Sequence, residues 1–134
     1  MLAQAPVTTI LPVVDLDRAR EFYEAKLGLT PVGARPDGKF VYACGGGGRL
    51  ALFPRGSRTK ADHTAVSFLV DDIESTIRAL EARGVVFHDY DLPGLRTVDH
   101  VCVLGAEMAA WFSDPDGNIL CLHQEVAATE PARR

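Results

Sequence analysis

Few side chains in this sequence could do chemistry: four histidines (His63, His88, His100, His123), three cysteines (Cys44, Cys102, Cys121) and scattered carboxylates. A thiol becomes a nucleophile when a nearby histidine or cation lowers its pKa. Cys121 and His123 are two residues apart, which on a strand puts both on one face. They could form a Cys/His pair; the competing reading is a buried, inert thiol, since free cysteine is among the most buried residue types. His88 and His100 have Asp89 and Asp99 beside them. Adjacent strand residues point to opposite faces, so neither doublet implies a catalytic dyad. The glycine run Gly45–Gly48 lies between two strand-like stretches with no Lys-Ser/Thr after it. A hairpin turn accounts for it, and a phosphate loop does not.

Composition bounds the setting for these groups. Hydrophobic residues make up 47% and charged residues 24% of 134 residues, ordinary values for a globular domain with its own core. The net charge of -4 argues against nucleic acid, as does the scatter of basic residues, whose only dense group is Arg55, Arg58 and Lys60. An odd cysteine count without CxxC pairing fits reduced thiols. The opening MLAQAPVTTILPVV lacks a basic leader and a long apolar run, and no stretch reaches the roughly eighteen apolar residues of a membrane span. A cytoplasmic protein without a membrane or nucleic-acid partner is expected. The expected organisation is one domain over 1–134, with modules at about 7–56 and 63–125 and a disordered tail from about 127.

Two stretches repeat the same plan: TTILPVVDLDRAREFYEAKLGLTPV and AVSFLVDDIESTIRALEARGVVFH. Each predicts an apolar strand, an Asp cap (Asp15, Asp72), a short amphipathic helix and a terminating glycine (Gly28, Gly84). In the first half strands are predicted at Lys39–Cys44 and Arg49–Phe53. In the second half they are predicted at Val85–His88, Ala109–Ser113 and Asn118–His123, the last two around Asp114-Pro-Asp-Gly. The order is strand–helix–three strands, twice. Tyr90–Glu107 is left as a long connection, expected to be a lid with Leu92 and Leu95 dipping inward.

Alternation then sorts the strand residues. Leu11, Val13, Leu50 and Leu52 fall on apolar faces, whereas Thr8 and Ile10, Arg49, Ala51 and Phe53, His63, Ala65 and Ser67, and Cys121 and His123 fall on mixed ones. A mixed face of small, polar and aromatic residues suits a cavity lining; a half-wetted sheet face is the alternative.

VVDLDRAREFYEAKLGL resembles the opening of a vicinal-oxygen-chelate module, and WFSDPDGNILCL resembles the segment that closes a second one. YDLPGLRTVDHV is similar to a subgroup of small members, and the resemblance runs from about Val7 to Gln124. It implies an α+β fold of two βαβββ modules, with curved, mostly antiparallel mixed sheets around a cup-shaped cavity. Function is not implied, because this glyoxalase/bleomycin-resistance superfamily spans lyases, dioxygenases, epimerases, thiol transferases and metal-free drug-sequestering proteins.

In metal-dependent members four strand positions carry His, Glu or Gln ligands, and the resemblance places them at Thr8, Ala51, Ala65 and Cys121. None is a histidine or carboxylate, and only Cys121 could bind a transition metal well. Ligands displaced to His63, His123, Cys121 and Glu107 are conceivable. The leading expectation is a protein without metal or cofactor that binds a small organic molecule. Ile10, Tyr42, Phe53 and Trp111 would supply apolar contact, and Arg49, His63 and His123 would orient polar groups. No catalytic residue is assigned. The rivals are a lyase- or dioxygenase-type enzyme using a relocated metal or the Cys/His pair, and a structural dimerisation module with an unused cup. A homodimer is expected, with the cup formed within one chain or across two.

Overall fold

The computed structural model describes residues 1–125. The proposed disordered tail, from about 127, lies outside the described residues.

The first repeat begins with strand β1 (Thr8–Val13) and helix α1 (Leu16–Arg20), whose first turn is capped by the Asp15 carboxylate accepting from the Arg18 N–H at 3.1 Å. The helix continues as a π-helical segment, Glu21–Lys26, closed by a wide bond from the Leu27 N–H to the Phe22 carbonyl. Gly28 then turns the chain out of the helix at φ 74, a left-handed value open to glycine without strain. Strands β2 (Thr30–Ala34), β3 (Phe40–Ala43) and β4 (Arg49–Pro54) follow. The glycine run makes a tight turn between β3 and β4, as a hairpin requires. The sheet order is β1-β4-β3-β2, with β1 and β4 parallel and the other pairs antiparallel.

The second repeat has the same plan. Strand β5 (Thr64–Leu69) leads to helix α2 (Ile73–Glu81), capped by Asp72 accepting from the Ser75 N–H at 3.2 Å. Its apolar stripe Ile73, Ile77 and Leu80 is buried, as the 3.6-residue period predicts. A small hairpin of β6 (Asp91–Leu92) and β7 (Leu95–Arg96) precedes β8 (Cys102–Leu104), β9 (Glu107–Ser113) and β10 (Ile119–Glu125). The order β5-β10-β9-β8, again with one parallel pair, is the first sheet repeated. The α+β class and the duplicated topology are those the sequence predicts. Among the described residues no helix is long and apolar enough to cross a membrane.

Two predicted boundaries are corrected. Val85–His88 is not a strand; only Phe87 bridges to Phe112, and the His88 N–H bonds to the Trp111 carbonyl. The missing strand comes instead from the supposed lid, since β8 pairs Cys102 with Ala109 and Leu104 with Glu107. Cys102 is buried, whereas Leu92 is exposed. Part of the long connection is therefore sheet. A run of only three residues is too short for alternation to announce it.

The described residues divide into two compact units, Met1–Asp62 with Asp114–Asn118, and His63–Ser113 with Ile119–Glu125. The turn Asp114-Pro-Asp-Gly-Asn thus belongs to the first unit although β9 and β10 belong to the second. Its centre is the buried Asp114 carboxylate. One oxygen accepts the backbone N–H groups of Asp116 (2.9 Å) and Asn118 (2.8 Å); the other accepts the Tyr23 hydroxyl (2.7 Å) and the Asn118 amide (2.8 Å). The Asn118 amide also donates to the Pro12 carbonyl, and Asp116 accepts the Val14 N–H. Burial, then the Asp114 charge, hold the Tyr23 phenol far above its ordinary pKa, so it serves as a donor at any physiological pH.

Unpaired burial costs more than a lost neutral bond, so two substitutions should separate. Tyr23→Phe should lower unfolding free energy by about 1–2 kcal/mol in urea titration. Asp114→Ala should lower it by about 3–5 kcal/mol, because the turn's donors then lose their common acceptor. Equal effects would show that the carboxylate is not the centre of the turn.

Candidate functional site

Each sheet turns one face to its own helix and leaves the other open. In the first unit the register sets Thr8 opposite Arg49, Ile10 opposite Ala51 and Pro12 opposite Phe53, with Val41 on the far side of Ala51. Period-two geometry then places Thr8, Ile10, Arg49, Ala51 and Phe53 on one face, as the sequence predicts. That face carries a groove of about 570 Å³, floored by Thr8, Ile10 and Val41 and edged by Arg35, Lys39 and Arg49. Ile10 is 54% exposed there, an unusual state for an isoleucine in mid-strand.

Tyr42 does not belong with them and is corrected. It pairs with Leu50 on the helix-facing side, is fully buried and stacks at 6.3 Å on Tyr23. Its hydroxyl donates to Glu24, which also accepts from the Arg20 guanidinium lying over Phe40. The side of β3 that Tyr42 faces depends on the β3–β4 register, which residue type alone does not reveal.

In the second unit Cys121 pairs with Ser67 and Trp111, and His123 with Leu69 and Ala109, so these share the open face. The pairing slips between Ile119 and Leu120, leaving Ala65 unpaired at the irregularity and Thr64 opposite Ile119. Trp111 uses that slip: its indole N–H donates to the Thr64 hydroxyl at 3.1 Å, and its ring meets Tyr90 edge-on at 5.6 Å. His63 lies outside the strand, exposed. His123 Nδ1 bonds the Ser67 hydroxyl at 2.6 Å, which leaves Nε2 for another partner. Ligand atoms of Glu107, His123 and Glu125 all lie within 4.8 Å of one another. Of the displaced donor set suggested by sequence, His123 and Glu107 come together; His63 and Cys121 are not in the group, and Glu125 takes their place. Glu125 has the parity of Cys121 and His123, so alternation carried to the strand's end would have found it.

The remaining histidines have structural partners. Asp99 and His100 take positive φ (52 and 73) in a two-residue turn closed by Val98 and Val101. His100 then sits between Asp89 (3.0 Å) and Glu81 (3.1 Å), paired with the other doublet's aspartate. Both ring nitrogens are engaged, so it has none left to act as a base. His88 Nε2 bonds the Ser113 hydroxyl at 2.8 Å.

The paired strand–helix–strands units with helix-covered and open sheet faces define a fold class shared with solved proteins. The chain belongs to the Glyoxalase/Bleomycin resistance protein/Dioxygenase superfamily, whose sequence profile matches residues 5–122. No curated protein matches the sequence. A superfamily member from Sphaerobacter thermophilus DSM 20745 is similar in fold, with TM-score 0.73, 24% identity and 93% of this chain aligned to 100% of that one. TnmS3, an antibiotic binding protein from Streptomyces sp. CB03234, aligns at TM-score 0.63 and 25% identity over 93% of this chain and 98% of its own. Lactoylglutathione lyase from Agrobacterium tumefaciens aligns at TM-score 0.65 and 23% identity, covering 90% and 92%.

The superfamily implies a metal in its enzymes, and the residues at the implied positions do not fit one. Ala51 and Ala65 have no donor atom, Thr8 offers a weak neutral oxygen, and the Cys121 thiol donates to the Leu122 carbonyl. Burial pushes the Cys121 thiol above its ordinary pKa, so it is held protonated and is a poor ligand and a poor nucleophile. Alkylation by iodoacetamide at pH 7.5, followed by mass spectrometry of the Cys121 peptide, should run at least about tenfold slower in native than in urea-unfolded protein. Equal rates would restore the thiol as a nucleophile.

Proposed function

We propose that this chain binds a small organic molecule and uses no metal at the superfamily's ligand positions. The observation that carries the reading is the open face of the first sheet. Donor-less Ala51 stands where a ligand would be, beside an apolar-floored groove of ≈ 570 Å³, and small-ligand sites span about 300–1,000 Å³. Likeness to TnmS3, an antibiotic binding protein, supports the same reading. Within this groove Ile10 is the apolar contact, and Thr8 and Arg49 are the polar ones. A thermal-shift screen of aromatic antibiotics on protein purified without an affinity tag should find compounds that raise Tm. Ile10→Glu should weaken their binding by about tenfold, or 1.4 kcal/mol, by setting a charge on the groove floor. Binding unchanged in that variant would take the ligand out of the groove.

A second reading rests on Glu107, His123 and Glu125: a divalent cation, displaced from the superfamily's positions, serving a lyase- or dioxygenase-type reaction. Glu107 and Glu125 are directly opposed across β9 and β10, a like-charge pairing that destabilises a sheet unless a cation lies between them. Ser67 would hold the His123 ring for Nε2 ligation, as outer partners do at metal sites. Calorimetric titration of chelator-treated protein with Zn²⁺ should then give one ion per chain, lost in His123→Ala. Without a metal, Glu107→Gln should instead stabilise the protein by a few tenths of a kcal/mol, about 0.2–1, through loss of the repulsion. No Zn²⁺ uptake together with a stabilised Glu107→Gln would remove this reading.

A further inference from the structure

The groove on the first sheet has more positive charge than its neighbourhood neutralises. Three cations, Arg35, Lys39 and Arg49, edge it with one carboxylate, Asp37. Lys39 and Asp37 satisfy each other in an ion pair. The side chains of Arg35 and Arg49 have no hydrogen-bond or ion-pair partner among the described residues. This occurs on a chain of net charge -4, so the excess is local and not a matter of composition. Elsewhere in the same unit arginines are engaged: Arg20 with Glu24, Arg18 with the Pro115 carbonyl and Asp116, and Arg55 and Arg58 with backbone carbonyls.

These two guanidinia border the exposed apolar side chain of Ile10. Thr8 stands opposite Arg49 in the register, and Ile10, the next residue on that face, is more than half exposed. The backbone under Arg49 is fixed at both sides of the strand, by its N–H to the Val7 carbonyl at 2.9 Å and by pairing with Ala43. Arg35 is similarly anchored, its N–H bonded to the Lys39 carbonyl at 2.8 Å across the turn between β2 and β3. The exposed Ile10 side chain rewards an apolar body, and a guanidinium fork rewards a planar or tetrahedral oxyanion with paired, charge-assisted bonds.

We propose that the groove selects an amphipathic organic acid, an apolar ring body lying on Ile10 and Val41 with its carboxylate or phosphate held by Arg49 and Arg35. This rests on the small-molecule reading above and adds the chemical class of the ligand. Thr8 supplies a neutral donor next to the acid group. The cationic edge excludes ligands that carry an ammonium at that end.

The test uses the full chain and three probes sharing one body: 2-naphthoate, its neutral amide and 2-naphthyl phosphate. Titrations followed by two-dimensional amide NMR should shift Thr8–Ile10, Lys39–Val41 and Arg49–Ala51 with all three. The two acids should bind at least about fivefold tighter than the amide. Arg49→Gln and Arg35→Gln should each remove most of that difference while leaving amide resonances outside the groove unshifted, since neither side chain has a partner among the described residues. The stronger of the two acids then tells carboxylate from phosphate. Failure of all three probes to shift the groove would overturn the small-molecule reading and this inference together. Equal binding of acid and amide, or acid binding insensitive to both substitutions, would overturn this inference and leave the other standing.

Discussion

The buried carboxylate of Asp114 is the constraint on which the first unit depends. Such a group is tolerated only when its lone pairs are met, and here four donors converge on it. Three come from its own turn and shape it; the fourth, from Tyr23, ties that turn to the helical segment some ninety residues earlier in the chain. The neighbouring bonds from Asn118 to Pro12 and from Val14 to Asp116 fasten the same turn to the end of β1. A short polar loop therefore completes a core whose aromatic layer is Phe22, Tyr23, Phe40 and Tyr42.

Duplication of the topology does not extend to the chemistry. Both sheets have the same strand order and the same single parallel pair, so equivalent positions on both are open by construction. The first has arginines over an aliphatic floor; the second has Trp111, His123 and two glutamates. Exposed side chains on these faces, such as Ile10, carry little of the packing energy, because few neighbours constrain their volume. They are the positions where a repeat can diverge without unfolding, and here the opposite charges show that it has.

Local irregularities do much of the positioning. The slip before Leu120 turns Thr64 toward the Trp111 indole. The left-handed pair Asp99 and His100 reverses the chain tightly enough to start β8 and sends the His100 ring between two carboxylates. Neither feature follows from alternation, and each is held by hydrogen bonds that offset its backbone cost.

How much was legible follows from which forces are local. The two helices, their Asp caps, the terminating glycines and the alternation of β1, β4, β5 and β10 depend on residues within a few positions of one another. The sequence by itself determined them, and with them the repeat, the family and the open-face positions Thr8, Ile10, Arg49, Ala51, Phe53, Cys121 and His123. It also determined that none of the four positions implied by the resemblance, Thr8, Ala51, Ala65 and Cys121, is a histidine or carboxylate. What only the tertiary structure decided is which strands pair and in what register. Register turned Tyr42 under the helix, made a strand of Cys102–Leu104 in place of Val85–His88, and brought Glu125 to Glu107 and His123. It left Arg35 and Arg49 beside one groove without a side-chain partner among the described residues. Pairing energies come from contacts across long stretches of chain, and a one-residue slip exchanges the faces of a strand; no window of sequence contains that information.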